Sequence, residues 1–292
     1  MRFTIITDTS ANLPSAYLSL HQIAVVPLEY IIDGQPHVCL DTESFDGEKY
    51  YDDIRAGLSV ATSQVAPQRY IDCFEPALAR GESILFIGMS SGISGSFASA
   101  QIAADELRDA YPDAHIRLID TLGASLGEGI FVLRAVECRE RGMTLDETAD
   151  YLLDMVQRVY QCVMVEDLMH LRRGGRVSGS TALLGTVLGI RPVLKGNEEG
   201  KFAACAKPRG RKAGIAALAK KYAELVDHAQ EQTVGIAHAG CHADALALAE
   251  QLRAIAAPKE ILVVCYEPVT GSHIGPGALA LFFEGKDGVR GM

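Results

Sequence analysis

The sequence lacks the paired cysteines that disulfide-rich and zinc-binding proteins use. It contains seven cysteines, an odd number, and no two of them are spaced C-x-x-C. This pattern argues against a disulfide framework and a cysteine-based zinc site, and it indicates a reducing compartment. His238 and His242 flank Cys241, but they span a predicted strand end and loop with no further ligand nearby. We therefore predict no metal site.

Positive charge is also scarce. Lys and Arg total 27 against 37 Asp and Glu, which gives a formal net charge of −10. A chain this acidic is a poor general binder of nucleic acid or anionic membrane. No apolar run approaches the ~20 residues of a membrane span. The N-terminal apolar run is too short for a signal-peptide core, and Asp8 interrupts it. We expect a cytoplasmic protein without integral membrane association.

The composition is that of a folded globular protein. The chain has 292 residues, of which 48% are hydrophobic and 22% charged, enough for two domains or one large one. In the first half, short apolar strands alternate with helical segments, which predicts a parallel sheet covered on both faces. The second half contains a hairpin signal at 196–200 between two strand-like segments, and then alternating helices and strands.

We therefore predict an α/β protein of two domains. Residues 1–160 form an α/β/α three-layer domain with a mostly parallel sheet. Residues 161–292 form an α/β domain with a mixed sheet and helices.

The segment Ser90–Ser96 lies between a predicted strand and a predicted helix. A helix N-terminus at the carboxyl end of a parallel strand favours an anion, and glycines and serines there can approach and bind it. A serine cap with a glycine turn is the alternative. The loop has no lysine after its glycines, so it is not a P-loop. Ser96 replaces the second glycine of G-x-S-x-G, and a serine nucleophile with a histidine base is a further alternative.

Two further residues are candidates for the same site. His273 lies in a segment rich in glycine and proline, which we interpret as a turn that aims the imidazole into a cleft; a solvated loop histidine is the alternative. Thr62 precedes Pro67 at a predicted helix start, so its hydroxyl either binds a ligand or forms a local cap.

Two basic clusters stand out in the acidic chain. One contains Arg172, Arg173 and Arg176, and the other runs from Lys207 to Lys212 and includes Arg209. Each is either a solvated face or a docking patch for an acidic or phosphorylated partner.

Taken together, these segments resemble the DegV family, which includes the fatty-acid-binding subunits of bacterial fatty acid kinase. Each match is weak alone, but their order along nearly the whole chain is specific. The matching segments are Thr7–Ser10 with Leu13, Thr62–Gln64, Ser90–Ser96, Asp120–Thr121, Leu171–Arg176, Ile190–Pro192, Arg209 and His273–Gly277. Val65-Ala66-Pro67 departs from the Pro-Ser-Pro that often follows Thr-Ser-Gln in the family.

The resemblance implies two α/β domains with a long-chain fatty acid in a tunnel between them. By position, Thr62 and Ser94 match the family residues that hydrogen-bond the acyl carboxylate, and His273 matches the histidine that joins them. Arg209 lies where family members place an arginine near the head group.

The resemblance also implies a protein partner. Arg173 and Arg176 match a basic surface associated with docking a separate ATP-dependent kinase of the DAK type, which phosphorylates the bound acid. The chain itself is then not an enzyme and needs no cofactor. One alternative is a serine hydrolase or acyltransferase that uses Ser94 and His273. Another is a phosphate- or nucleotide-binding module that uses the serine-rich loop.

Overall fold

A computed structural model describes residues 3–166, 168–177 and 189–292. In this part of the chain thirteen strands form three sheets, and ten α-helices pack around them. The strands are β1 (Phe3–Asp8), β2 (Ala24–Val26), β3 (Glu29–Ile32), β4 (Gln35–Val38), β5 (Val60–Thr62), β6 (Ser83–Gly88), β7 (Ile116–Asp120), β8 (Val159–Met164), β9 (Val193–Gly196), β10 (Phe202–Ala206), β11 (Thr233–His238), β12 (Glu260–Cys265) and β13 (Leu279–Glu284).

The helices connect these strands. They are α1 (Ser15–Leu20), α2 (Gly47–Arg55), α3 (Pro67–Ala79), α4 (Ser96–Ala110), α5 (Leu126–Glu140), α6 (Leu145–Met155), α7 (Met169–Arg173), α8 (Arg211–Leu225), α9 (His242–Ala256) and α10 (Pro268–Ile274). Within the described ranges, no helix combines the length and apolar character needed to cross a bilayer.

The first sheet is parallel, with the strand order β2-β1-β6-β7. Its strand β6 is buried along its whole length, as expected for a parallel sheet covered on both faces. Ile84 and Phe86 pack with α3 and α4 on one face, and Leu85 and Ile87 pack with α5 and α6 on the other. The predicted α/β/α three-layer arrangement is confirmed.

The second sheet is mixed, with the order β10-β9-β8-β13-β11-β12. Only β11 and β12 pair in parallel; the other neighbours are antiparallel. Helices α8 and α9 cover one face, where Leu218 and Leu248 pack on Leu281. The predicted mixed sheet is confirmed, and so is the predicted hairpin, whose two strands are β9 and β10.

Helix α5 lies between the two large sheets and contacts both. Its residues Leu126, Ile130 and Phe131 are almost fully buried. The approach to β11 is so close that a Cβ on Gly235 would lie 2.8 Å from the Cβ of Leu126, so a larger residue at 235 would have to displace the helix. Since α5 joins the sheets through one core, the division into two domains near residue 160 stays a prediction.

The third sheet, β4-β3-β5, is antiparallel and has only short strands. The segment 23–32 is rich in Ile and Val, which predicts one or two strands there, but no sequence pattern predicts either of the outer strands of this sheet. The sheet matters for the site because β5 ends at Thr62.

The interpretation of the His273 segment as a turn is wrong, because His273 lies in the helix α10. Pro268 occupies the first position of this helix, where proline is favoured. The carboxylate of Glu267 accepts the backbone N–H groups of Val269 and Thr270. Gly275, at φ +86°, ends the helix.

Candidate functional site

A largely apolar cavity lies between the loop after β6 and the second sheet. The centre of a water molecule can occupy about 150 Å³ of it, whereas one buried water needs about 10–15 Å³. Its apolar wall includes Leu28, Met89, Val163, Phe202, Val269 and Phe282. The space therefore suits a hydrophobic ligand better than a single solvent molecule.

The three candidate residues Thr62, Ser94 and His273 all line this cavity. They come from three separate elements: the end of β5, the loop before α4, and α10. Thr62 Oγ1 and His273 Nε2 lie 2.7 Å apart and are hydrogen-bonded. The structure thus brings together residues that are up to 211 positions apart in the chain.

His273 is held as a neutral imidazole. Burial, and next the nearby Arg176 guanidinium, lower its pKa to about 4. A Cβ added to Gly174 would lie 2.6 Å from His273 Nδ1, so a glycine at this position leaves room for the ring. At neutral pH one ring nitrogen carries a proton and can donate it in a hydrogen bond, while the other can accept one.

The local-cap alternative applies differently to the two hydroxyls. Thr62 does not cap α3, whose N-cap residue Ala66 has no side-chain cap bond. Ser94 does act locally, because its Oγ accepts the N–H of Ser96 at 3.2 Å and lies 3.0 Å from Ser96 Oγ. It lines the cavity while supporting the first turn of α4.

A surface groove lies next to the cavity and shares three of its lining residues, Thr62, Arg176 and His273. Arg173 lines only the groove. The Thr62–His273 pair therefore stands between the apolar cavity and a basic surface.

The two predicted docking arginines lie in different environments. Arg173 is exposed at the end of α7. Arg176 is partly buried and lines the cavity, and its Nε donates to the carbonyl of Ile93 at 3.1 Å. Arg176 is thus part of the cavity wall and fixes the loop that carries Ser94.

Arg209 lies away from these residues. It is exposed and lines neither the cavity nor the groove. The backbone of Arg209 pairs with that of Ile190 in an isolated β-bridge, and the Arg209 side chain lies next to Gly189. The structure does not bring it to the other candidate residues.

Sequence reasoning missed two polar residues of the cavity wall, Gln161 and Thr270. Gln161 donates from Nε2 to the carbonyl of Leu122 at 2.8 Å, and its Oε1 accepts the N–H of Ala124 at 3.4 Å. It therefore ties the loop before α5 to β8. A polar side chain inside the otherwise apolar strand was the available signal.

The pairing needed for a serine nucleophile is not formed. Ser94 is hydrogen-bonded to Ser96, and His273 to Thr62. No carboxylate is among the groups that shift the pKa of His273, so no acidic third member is evident in the described residues. The same residues hold no group of three or more His, Cys, Asp or Glu side chains suited to a metal ion; the rings of His238 and His242 contact each other.

The comparison with known families decides the relationship of the chain. The model of a family described as "Uncharacterised protein, DegV family" matches residues 2–286. The chain belongs to the DegV family. A DegV domain-containing protein from Clostridium perfringens is 35% identical over 284 residues, which are 97% of this chain and 98% of that protein.

Solved structures of DegV proteins share the fold. A fatty-acid-binding DegV protein from Thermus thermophilus has a TM-score of 0.87 and 30% identity, covering 98% of this chain and 100% of the other. A fatty-acid-binding DegV protein from Streptococcus agalactiae has a TM-score of 0.84 and 29% identity, with the same coverage of both chains.

We predict that His273 makes the protein less stable in mild acid. Its pKa is about 4 in the folded state against 6.5 as the ordinary value, so between these pH values the unfolded chain binds more protons. Stability then rises with pH through this window and is lost as pH falls. His273→Gln should remove up to about 2 kcal/mol of the destabilisation between pH 7 and pH 5.

Urea unfolding of both proteins at the two pH values measures this difference, and other titrating groups cancel in the comparison. Equal pH dependence in the two proteins would contradict the assignment of a neutral His273.

Proposed function

We propose that this DegV protein binds a long-chain fatty acid, with the hydrocarbon in the cavity and the carboxylate at Thr62, Ser94 and His273. The observation that carries the proposal is the set of neutral hydrogen-bonding groups at the edge of an apolar cavity. The fatty-acid binding of the Thermus and Streptococcus relatives supports it.

Hydrogen bonds make a partly buried carboxylate tolerable at this place. A carboxylate is costly to bury unless its oxygens accept hydrogen bonds. The hydroxyls of Thr62 and Ser94 can rotate toward a ligand oxygen, and neutral His273 can donate as well. The nearby N-terminus of α4, a helix of 15 residues, adds a favourable potential for an anion.

The hydrocarbon supplies most of the affinity. At about 0.8 kcal/mol per buried methylene, a chain of about fourteen methylenes gains on the order of 11 kcal/mol before ordering costs. Residues such as Met89, Val163 and Phe282 line the space that the chain would fill. The apolar wall holds the tail, and the polar edge sets its direction.

The groove gives the bound carboxylate a route to a partner. Thr62 and His273 line both spaces, and Arg173 and Arg176 make the groove side basic. We infer that a separate ATP-dependent fatty acid kinase of the DAK type docks there and phosphorylates the carboxylate, so that the DegV protein is its non-catalytic lipid carrier. The seven free cysteines fit the reducing cytoplasm in which such a kinase finds ATP.

Native mass spectrometry tests the central proposal. The purified protein should carry, or take up, one saturated or unsaturated long-chain fatty acid per chain. Failure to bind any added fatty acid, under conditions that preserve a known lipid–protein complex, would overturn it. A fluorophosphonate probe run in parallel addresses the hydrolase alternative, which labelling at Ser94 would favour.

Replacing Ser94 tests the carboxylate site. Ser94→Ala should weaken fatty acid binding by about 1–3 kcal/mol, because a buried oxygen of the ligand loses a donor. Ser91→Ala is the matched control, since Ser91 is exposed on the same loop and should leave the affinity unchanged. Titration calorimetry measures both, and equal affinities for the two folded variants would remove Ser94 from the site.

Charge reversal separates docking from lipid binding. Arg173→Glu should keep the fatty acid affinity. It should reduce the formation of acyl phosphate by an added fatty acid kinase with ATP, because the acidic side chain repels a partner whose docking surface complements a basic one. Lys212→Glu, in the other basic cluster and also exposed, should leave the rate unchanged. If Lys212→Glu lowered the rate of acyl phosphate formation more than Arg173→Glu did, docking would be assigned to the second cluster.

A further inference from the structure

One pair of strands forms a long wall of the cavity. On β8 and β13, Val163 lies opposite Ala280 and Gln161 lies opposite Phe282, and all four residues line the cavity. Side chains two positions apart point to the same face of a strand, and they are separated by about 6.7 Å along it. The two pairs are therefore successive steps along the cavity.

The groove marks the outer end of this wall. Strand β8 leads into α7, from which His170 and Arg173 line the groove, and β13 follows α10, which carries His273. Because β8 and β13 are antiparallel, both connections lie at the same end of the pair. The Gln161–Phe282 pair is thus one step farther from the groove than the other pair.

Along this wall the cavity ends at Gln161. Val159, the next residue on this face of β8, is fully buried and does not line the cavity, and neither does its partner Glu284. The first turn of α5 blocks the way, because a Cβ added to Gly127 would lie 2.5 Å from Gln161 Oε1 and 3.1 Å from Phe282 Cδ1. A hydrocarbon that starts at the groove end and follows this wall therefore meets the Gln161 side chain at the closed end.

The Gln161 side chain is fixed in this position. Its Nε2 donates to the carbonyl of Leu122, and its Oε1 accepts the N–H of Ala124. A Cβ on Gly196 would collide with Nε2, so this glycine leaves the room that the amide occupies. The amide cannot move aside for an approaching methyl group without losing both hydrogen bonds.

We propose that Gln161 is a specificity-determining residue, whose side chain closes the inner end of the cavity and sets the longest acyl chain that it accepts. This inference rests on the proposed fatty-acid function and specifies its substrate class by chain length. A methylene that fits in the apolar space adds affinity, whereas one beyond the limit has to displace Gln161 or fold back into filled space.

The test measures the affinity of the full-length, delipidated protein for saturated acids from dodecanoic to docosanoic acid. In the wild type, each added methylene should raise the affinity about fourfold up to one chain length and should bring no gain beyond it. Gln161→Ala should raise this length limit by about two carbons, because the space left by a truncated core side chain closes only in part. The carbonyl of Leu122 keeps a donor in this variant, since Arg290 Nη1 also donates to it at 2.8 Å.

Two control variants separate the end of the cavity from its sides. Gln161→Met keeps an unbranched side chain of similar length but removes the amide bonds, so the limit should stay unchanged. Val163→Ala adds space beside the acyl chain, one step nearer the groove, and should lower the affinity for every acid without moving the limit. If Gln161→Ala does not fold, Gln161→Thr, which suits a strand and is also shorter than glutamine, should raise the limit by about one carbon.

The outcomes separate this inference from the proposed function. If the wild type binds none of the acids, the fatty-acid function itself fails. If it binds them without a length limit, or if the shortened variant has the wild-type limit, the role of Gln161 fails and the function stands. A limit that moves as far in Gln161→Met as in the shortened variant would also overturn the role, because the amide bonds and not the filled space would then set the length. A raised limit in Val163→Ala would do the same, since added space at any point of the wall would then suffice.

Discussion

The burial of α5 between two sheets is the constraint on which the rest of the molecule depends. A helix that packs against both sheets gives neither of them a free inner face. The loop that leads into α5 carries Ala124 into the cavity wall, and Gln161 on β8 binds that loop through its amide. The cavity therefore lies at the start of α5, where the helix no longer fills the space between the two sheets.

The edge of the cavity combines three neutral hydrogen-bonding groups with the guanidinium of Arg176. Thr62 and Ser94 are hydroxyls, and His273 is kept neutral by burial and by the guanidinium of Arg176. Arg176 is partly buried and donates to the carbonyl of Ile93. The neutral donors beside it carry no charge that needs a counter-charge.

Part of this architecture follows from sequence patterns with local causes. Apolar runs such as 83–88 predicted the buried strands, and the turn residues 196–200 predicted the hairpin. The segment 270–277 was misinterpreted because its three glycines and its proline resemble a turn, whereas Pro268 and the buried carboxylate of Glu267 start a helix. The two outer strands of the sheet that carries Thr62 were missed because they have only three or four residues, and pairing with β3 rather than a sequence pattern holds them.

The site residues show the same division. The types and order of Thr62, Ser94 and His273 in the chain were sufficient to single them out, but not to show that they meet. The wall position of Arg176 depends on how the loops pack, and no local pattern encodes that.

The shared border between cavity and groove has a consequence for access. Because Thr62 and His273 line both spaces, the polar end of a molecule bound as proposed would be accessible from the groove while its hydrocarbon stayed in the cavity. Chemistry at that polar end would then not require the apolar cavity to open.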